Sequence, residues 1–229
     1  MFLYPVNLNI ANRLCVVIGG GSVALRKVKN LLDCDAVVRI VSPYVEPGLK
    51  KIILKNQLEW FEREYAKGDL QGAFLAFAAT SDPDVQLQVK EEAHKYQAIL
   101  NSADDPVGSD FHVPAHFRRG KMLVTVSTGG GSPAMSKQIR ERLELDFGSE
   151  YEAVVDLLAM VREAVVRCDV DSSTRQKLFH NLLKIDILGL VCDGNWFDLQ
   201  MVLLQELPEN IDAVALIKRF LDEHDKKEE

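Results

Sequence analysis

The chain has 229 residues, a formal net charge of −7, 47% hydrophobic residues and 27% charged residues, a composition typical of an ordinary globular protein. The acidic balance argues against nucleic acid as the main partner. The apolar runs are shorter than the ~20 residues of a membrane-spanning helix, and no basic leader is visible, so we expect a cytoplasmic protein without membrane contact.

Cysteine and histidine spacing gives no metal signature. The cysteines are widely separated and form no C-x-x-C pair, which indicates neither a disulfide framework nor a zinc site. His112 and His116 are four residues apart, but Pro114 between them excludes a regular helical pair of ligands. We therefore expect no resident metal ion.

The first strong pattern is a short apolar strand, Leu14–Ile18, that runs into a glycine turn and a helix starting at Ser22. The spacing Gly19-x-Gly21-x-x-Ala24 fits the dinucleotide fingerprint. In that fingerprint the first glycine permits the tight turn, and the second lets the backbone approach a pyrophosphate at the helix N-terminus. A bound nucleotide is the favoured interpretation, and a purely structural glycine turn is the alternative.

Strands and helices then alternate up to residue 102, which predicts an α/β fold with a Rossmann-like, doubly wound parallel sheet. Further strands are predicted at residues 36–41, 58–61, 72–80 and 98–102, and helices at 49–56 and 85–96. Ligands of such sheets bind at the carboxyl ends of the strands. Those ends carry Ser42, Pro43 and Thr80, which are candidate cofactor contacts.

The end of the second strand lacks the Asp or Glu that commonly holds a dinucleotide's ribose about 20 residues beyond the glycines. The first acid after it is Glu46. If a dinucleotide binds, backbone groups and the Ser42 hydroxyl are the candidates for holding the ribose. The residues that follow the second strand do not distinguish NAD from NADP.

Asp104 follows the strand at residues 98–102, at the same ligand-binding edge. A carboxylate there can accept a proton during catalysis. The alternative is that the Asp104-Asp105-Pro106 sequence forms a structural turn.

The pattern changes after residue 110. Residues 111–140 contain no Asp or Glu but five Lys and Arg side chains, including Arg118 and Lys137, which predicts either an anion-binding surface or a solvated basic face. Strands at 111–114 and 122–127 are predicted to form a hairpin. A second glycine turn, residues 127–133, then leads into a helix at 133–145, so a second anion site is a further candidate.

The remainder is helical in pattern, with helices expected at residues 151–167, 173–183, 198–205 and 211–221 and a frayed tail after them. Helices this small are expected to bury themselves against a partner or the first domain, so we predict a homodimer. The predicted domains are a nucleotide-binding domain at 1–113, a dimerisation region at 114–149 and a helical domain at 150–229.

Four segments together resemble the family of precorrin-2 dehydrogenases, which includes the dehydrogenase and sirohydrochlorin ferrochelatase module at the N-terminus of siroheme synthases. The segments are VVIGGGSVALRK, AFAATSDPDV, LNSADDP and VTVSTGGGSPA, and they occur in the family's order. The resemblance covers roughly residues 1–147 and is to the standalone form. Gln86, where relatives commonly have Asn, is a departure, as are His112 and His116.

The resemblance implies oxidation of precorrin-2 to sirohydrochlorin by NAD in a homodimer, with iron insertion into the tetrapyrrole as a second activity. It implies that Asp104 is catalytic and that Ser22, Val23, Pro43 and Tyr44 contact NAD. The implied substrate-binding residues are Thr128, Gly129, Gly130, Arg118 and Lys137, which would face a polycarboxylate. In the bacterial siroheme synthase a serine that can be phosphorylated stands where this chain has Thr128.

Two other classes of protein compete with this interpretation. An NAD-sensing regulatory module would bind the nucleotide without chemistry, but it does not require a second glycine turn. A methyltransferase that uses S-adenosylmethionine shares a glycine loop, but it usually has an acid where this chain has Ser42 and Pro43.

Overall fold

The computed structural model describes residues 2–228, with the side chains of residues 225–228 excepted. The chain divides into two compact units, residues 1–113 and 114–229. The predicted scheme of three domains, with a further boundary after residue 149, stays a prediction.

The first unit is built from alternating strands and helices. Its elements are β1 (Leu14–Ile18), α1 (Ser22–Leu32), β2 (Val37–Val41), α2 (Pro47–Asn56), β3 (Glu59–Phe61), β4 (Leu75–Ala78), α3 (Pro83–Tyr96) and β5 (Ile99–Ser102). Within the described residues the strands form one parallel sheet in the order β3-β2-β1-β4-β5. The predicted Rossmann-like, doubly wound sheet is therefore confirmed.

The sheet is covered on both faces because its central strands are apolar at every position. Cys15 and Val17 of β1 point into one buried cluster, and Val16 and Ile18 point into another. A strand that is buried on both sides has no polar alternation, which is why β1 and β4 have continuous apolar sequences. The polar groups of this unit are consequently concentrated at the ends of the strands.

An ion pair between an exposed arginine and a buried aspartate fixes the loop that leads from β3 to β4. Arg63 donates two hydrogen bonds of 2.7 and 2.6 Å to the carboxylate of Asp69, whose side chain is 5% exposed. The backbone N–H of Ala66 donates to the same carboxylate at 2.8 Å. Burial raises the pKa of Asp69, but these hydrogen bonds outweigh it and hold the pKa below its ordinary value.

We expect Asp69→Asn to lower the free energy of unfolding of the first unit by about 2 kcal/mol at neutral pH, the scale of hydrogen bonds to a charged group. Because the folded pKa is depressed, this stabilisation is present above the unfolded pKa of about 3.9 and is lost as the pH falls through the folded pKa. Urea unfolding of the variant and of Glu62→Gln, an exposed control, measures it. An equal loss at pH 7 and at pH 3 would contradict the assignment.

The second unit starts with a hairpin and continues with helices. Its elements are β6 (Ala115–Arg119), β7 (Met122–Val126), α4 (Pro133–Asp146), α5 (Glu150–Arg167), α6 (Ser172–Leu182), α7 (Ile187–Cys192), α8 (Trp196–Glu206) and α9 (Ala213–Glu228). Strands β6 and β7 pair antiparallel, with Phe117 opposite Val124. No helix within residues 2–228 is long and apolar enough to cross a membrane.

The structure of this unit differs from the predictions in three places. The first hairpin strand lies at Ala115–Arg119 instead of 111–114, because it starts after Pro114, which has no N–H to donate to a ladder. The short helix α7 was not predicted. Helix α9 continues to Glu228, so the expected fraying after Leu221 does not occur there, and Glu229 lies outside the described residues.

The helices of the second unit have a core of their own. Leu157, Val161, Leu182, Leu199 and Phe220 are almost fully buried and belong to one cluster. The expectation that such small helices must bury themselves elsewhere is therefore wrong, and it no longer supports a dimer. The homodimer itself stays a prediction.

Candidate functional site

The candidate site of the first unit lies where the chain direction across the sheet reverses. β1 and β4 are neighbours, and the chain leaves them towards opposite edges of the sheet. The backbone N–H of Gly19 donates to Val41 at 2.9 Å, and that of Ala79 donates to Ile18 at 2.8 Å, so the ends of these strands are held together. Open α/β sheets bind their ligands in the crevice at such a point.

The glycine turn has two crowded positions and one open position. A Cβ on Gly19, whose φ is +120°, would lie 2.2 Å from the carbonyl oxygen of Ala79. A Cβ on Gly20 would lie 2.0 Å from the carbonyl oxygen of Tyr44, whereas one on Gly21 would meet nothing within 4 Å. The protein itself excludes side chains at the first two positions, and the space above Gly21 is open to a ligand.

The N-terminus of α1 suits a pyrophosphate. Gly21 is its N-cap residue and supplies no side-chain cap, and the first helical turn contains no acidic residue. The backbone N–H groups of Ser22 and Val23 lie at the positive end of the helix dipole, beside the open position. These residues fit a dinucleotide, as the fingerprint predicts.

The end of β2 is shaped by Ser42, whose side chain is buried. Its hydroxyl donates to the carbonyl of Tyr44 at 2.7 Å, and Trp60 Nε1 donates to the carbonyl of Ser42 at 3.0 Å. The hydroxyl thus supports the turn, and its predicted contact with a ribose stays a prediction. Pro43 and Tyr44 are exposed beside the glycine turn, where a nucleoside would lie.

The structure links Thr80 to Asp104 through Gln86. Gln86 Nε2 donates to the carbonyl of Thr80 at 2.7 Å and to Asp104 Oδ2 at 3.2 Å. The amide therefore connects the end of β4, the first turns of α3 and the end of β5. Asp104 is exposed, so its carboxylate is accessible to solvent at the end of β5.

Asp105, unlike Asp104, is held in a local turn. Its carboxylate accepts a hydrogen bond from Gly108 N at 2.8 Å and lies 3.5 Å from Lys90 Nζ. The Gly108 hydrogen bond, with Lys90, lowers the pKa of Asp105. The structural turn expected for the Asp-Asp-Pro sequence is thus formed by Asp105, which leaves Asp104 available for chemistry.

Sequence reasoning missed two residues of this site. Gly20 received no role of its own, although a Cβ there would make the closest contact of the three glycines. The available signal was its position in an uninterrupted run of three glycines. Gln86 was noted as a departure from relatives, without a role. Its placement one turn inside α3, after the capping Asp82, was the available signal.

The second unit contains the second glycine turn, at residues 127–133. Thr128 Oγ1 accepts a hydrogen bond from the backbone N–H of Ser132 at 3.0 Å and lies 3.0 Å from Ser136 Oγ, so this hydroxyl holds the turn together. Gly129 and Gly130 have φ values of +61° and +87° and are exposed, with open space at their Cβ positions. Their predicted contact with substrate stays a prediction.

In the structure, acidic side chains lie close to the basic segment at residues 111–140. Lys121 pairs with Asp156 at 3.1 Å, and Lys137 pairs with Glu141 at 3.8 Å. Arg119 and Arg140 both pair with Glu144. The acids come from the following helices α4 and α5, so the segment is basic in sequence but paired with acids in the structure, and its predicted anion binding stays a prediction. Arg118 is exposed on β6, and its predicted role towards substrate, like that of Lys137, stays a prediction.

His112 and His116 each lie beside a backbone carbonyl. His112 Nε2 lies 3.0 Å from the carbonyl of Pro106, and His116 Nδ1 lies 3.0 Å from that of Pro114. Across the part of the chain that the structure describes, no three His, Cys, Asp or Glu side chains are grouped to hold a metal ion.

Comparisons with known proteins support a nucleotide-binding site in the first unit. Residues 6–115 match a family model described as "Putative NAD(P)-binding". A siroheme synthase of Azotobacter vinelandii is 31% identical over 217 residues, which are 93% of this chain and 47% of the relative. One of Pseudomonas aeruginosa is 30% identical over 221 residues, 96% of this chain and 48% of the relative. A solved structure titled "SirC, precorrin-2 dehydrogenase" shares the fold, with a TM-score of 0.72 and 24% identity over 96% of this chain and 100% of that one.

Over nearly its whole length the chain is similar to siroheme synthases, and it shares the fold of a precorrin-2 dehydrogenase. This confirms the resemblance inferred from the motifs. NAD is the cofactor of the family's nucleotide-binding domain, and the cradle at Gly21, Ser22 and Val23 fits it. The chain spans about half the length of the siroheme synthases it matches, so the activities, substrates and partners of those whole proteins come to it as proposals.

Proposed function

We propose that this protein is a member of the precorrin-2 dehydrogenase family, an NAD-dependent dehydrogenase that oxidises precorrin-2 to sirohydrochlorin. The observation that carries the proposal is the placement of Asp104. Its carboxylate lies at the end of β5, beside the strand whose end meets the glycine cradle, and Gln86 holds it there. A base next to a nicotinamide site is what removal of a hydride and a proton from one substrate requires.

The proposed reaction takes a hydride and a proton from precorrin-2 and yields sirohydrochlorin, NADH and a proton. Bound NAD supplies the hydride acceptor. Gln86 donates its hydrogen bond to Oδ2 and so orients the carboxylate of Asp104, which accepts the proton. The proton then leaves to solvent, because Asp104 is exposed.

The direct test is to mix the purified protein with precorrin-2 and NAD+ and to follow NADH absorbance. Turnover that needs both compounds supports the proposal. A folded protein that binds NAD without any turnover would overturn it. Titration with the tetrapyrrole then tests the NAD sensor, because a sensor is not expected to bind the macrocycle.

We further propose sirohydrochlorin ferrochelatase activity, with Fe2+ as a substrate. The support is the similarity to proteins named siroheme synthases over nearly the whole of this chain. Supplying sirohydrochlorin and Fe2+ without NAD tests it. A rate of siroheme formation equal to the uncatalysed rate would exclude the second activity and leave the dehydrogenase proposal intact.

We also propose that the protein is a homodimer, as the resemblance implies, and that it works in the cytoplasm. Exposed apolar side chains on α4, among them Met135 and Ile139, are the support within the second unit for a protein contact there. Sedimentation equilibrium distinguishes a dimer from a monomer.

A further inference from the structure

A lysine ammonium lies inside the first unit, between α1 and the sheet. Lys27 Nζ donates to Asn101 Oδ1 at 2.9 Å and stands 5.2 Å from the centre of the Phe77 ring. Asn101, on β5, is 7% exposed, and Phe77 on β4 is 3% exposed. The side chain of Lys27 thus runs under the sheet edge at which the candidate site lies.

Keeping a charge there is costly. Burial, together with the neighbouring cation of Arg26, lowers the pKa of Lys27 to about 8. Its two contacts with the sheet, Phe77 and Asn101, are uncharged. An unbranched apolar side chain such as methionine would fill the same space without this cost, so packing alone does not explain the lysine.

The partner of Lys27 leads directly to the loop that carries Asp104. Asn101 uses both ends of its amide, because Oδ1 accepts from Lys27 and Nδ2 donates to the carbonyl of Phe111 at 3.0 Å. The Phe111 ring in turn packs edge-on against Phe77 at 5.6 Å between centroids. Residues 103–110, between these two anchors, form the loop with Asp104.

The other end of the connection is the cofactor cradle. Lys27 lies on α1 six positions after Gly21, which is roughly 9 Å along a helix axis. One side chain therefore ties the helix whose N-terminus faces the pyrophosphate to the loop that carries the proposed base.

We propose that Lys27 is a positioning residue that couples the cofactor helix α1 to the Asp104 loop through Asn101. The inference rests on the proposed dehydrogenase function and adds a residue to it. Lys27 touches neither Asp104 nor the reacting atoms in this arrangement. It acts by fixing Asn101 and hence both ends of the loop.

The test is Lys27→Met, with Lys29→Met, an exposed lysine on the same helix, as the matched control. We expect Lys27→Met to lower kcat by about tenfold or more, the scale of a small misplacement of a catalytic group, while the Kd for NAD is unchanged. Amide hydrogen exchange at residues 103–110 is expected to speed up about tenfold. Lys29→Met is expected to change neither quantity.

Stability separates this role from a structural one. A lysine whose folded pKa is depressed weakens the fold below that pKa, and the loss is recovered as the pH rises from about 8 to about 10.4. Lys27→Met is therefore expected to raise the melting temperature of the first unit at pH 7, with a gain that shrinks across that window. Asn101→Leu removes the Oδ1 acceptor of the Lys27 ammonium and is expected to lower the melting temperature of the first unit.

The outcomes are distinct. If Lys27→Met leaves both kcat and the exchange of residues 103–110 at wild-type values, the proposal is overturned, whatever the melting temperature does. If the wild-type protein itself does not oxidise precorrin-2, the dehydrogenase proposal fails, and the exchange experiment decides the coupling alone.

Discussion

Asp104→Ala is expected to reduce the turnover of precorrin-2 by about 10²- to 10⁴-fold, the range that a positioned general base contributes, with little change in the Kd for NAD. The reason is the geometry of the sheet edge. Asp104 is exposed and held by Gln86, whereas the cofactor cradle is formed by backbone at Gly21, Ser22 and Val23. Steady-state kinetics and an NAD titration measure the two quantities.

Gln86→Leu is the companion variant, because it keeps the size of the side chain and removes the hydrogen bond to the carboxylate. Its loss of kcat is expected to be smaller, about tenfold, since the base remains but is no longer oriented. Adding it to Asp104→Ala is expected to cost nothing further, because both act through one group. A large loss of NAD affinity in Asp104→Ala would instead place this residue in the cofactor site.

Gly21→Ala is expected to weaken NAD binding about tenfold or more, equivalent to about 1.4 kcal/mol, without lowering the melting temperature of the first unit. Gly21 has a φ of −86°, which alanine adopts without strain, and a Cβ there would meet no protein atom within 4 Å. The added methyl group therefore occupies the space that the pyrophosphate needs.

Gly20→Ala is the contrasting variant. Its Cβ would lie 2.0 Å from the carbonyl oxygen of Tyr44, so we expect it to destabilise the fold by about 2 kcal/mol or more. Isothermal titration with NAD and thermal unfolding of both variants separate the two effects. Wild-type NAD affinity in a folded Gly21→Ala protein would show that the pyrophosphate does not approach this glycine.

The Rossmann-like unit was predictable because its signals are local. Continuous apolar runs at β1 and β4, proline or aspartate at helix starts, and the glycine turn each fix a neighbouring element without reference to distant residues. The parallel order then follows from the alternation of strands and helices. The fold of the first unit was therefore predictable because residues close together in the sequence determine each of its elements.

The features that were not predicted depend on residues that are far apart in the sequence. The acids that neutralise Lys121 and Arg119 come from later in the chain, so a window that is basic in sequence is not purely basic in space. The role of Gln86 depends on a contact with Asp104 across 18 positions, which no local pattern contains. The core of the second unit likewise unites residues from α5 to α9, and its existence could not be judged from any single helix.

The separate cores have a practical consequence for spectroscopy. The protein has two tryptophans, Trp60 on β3 and Trp196, which contacts the Phe220 ring in the helical core, so each unit carries one tryptophan. Domains with their own cores need not melt together, and one midpoint then describes neither. A Trp196→Phe protein would report on the cofactor unit alone, and emission from Trp60, whose ring donates to the Ser42 carbonyl next to the cradle, offers a label-free signal of NAD occupancy.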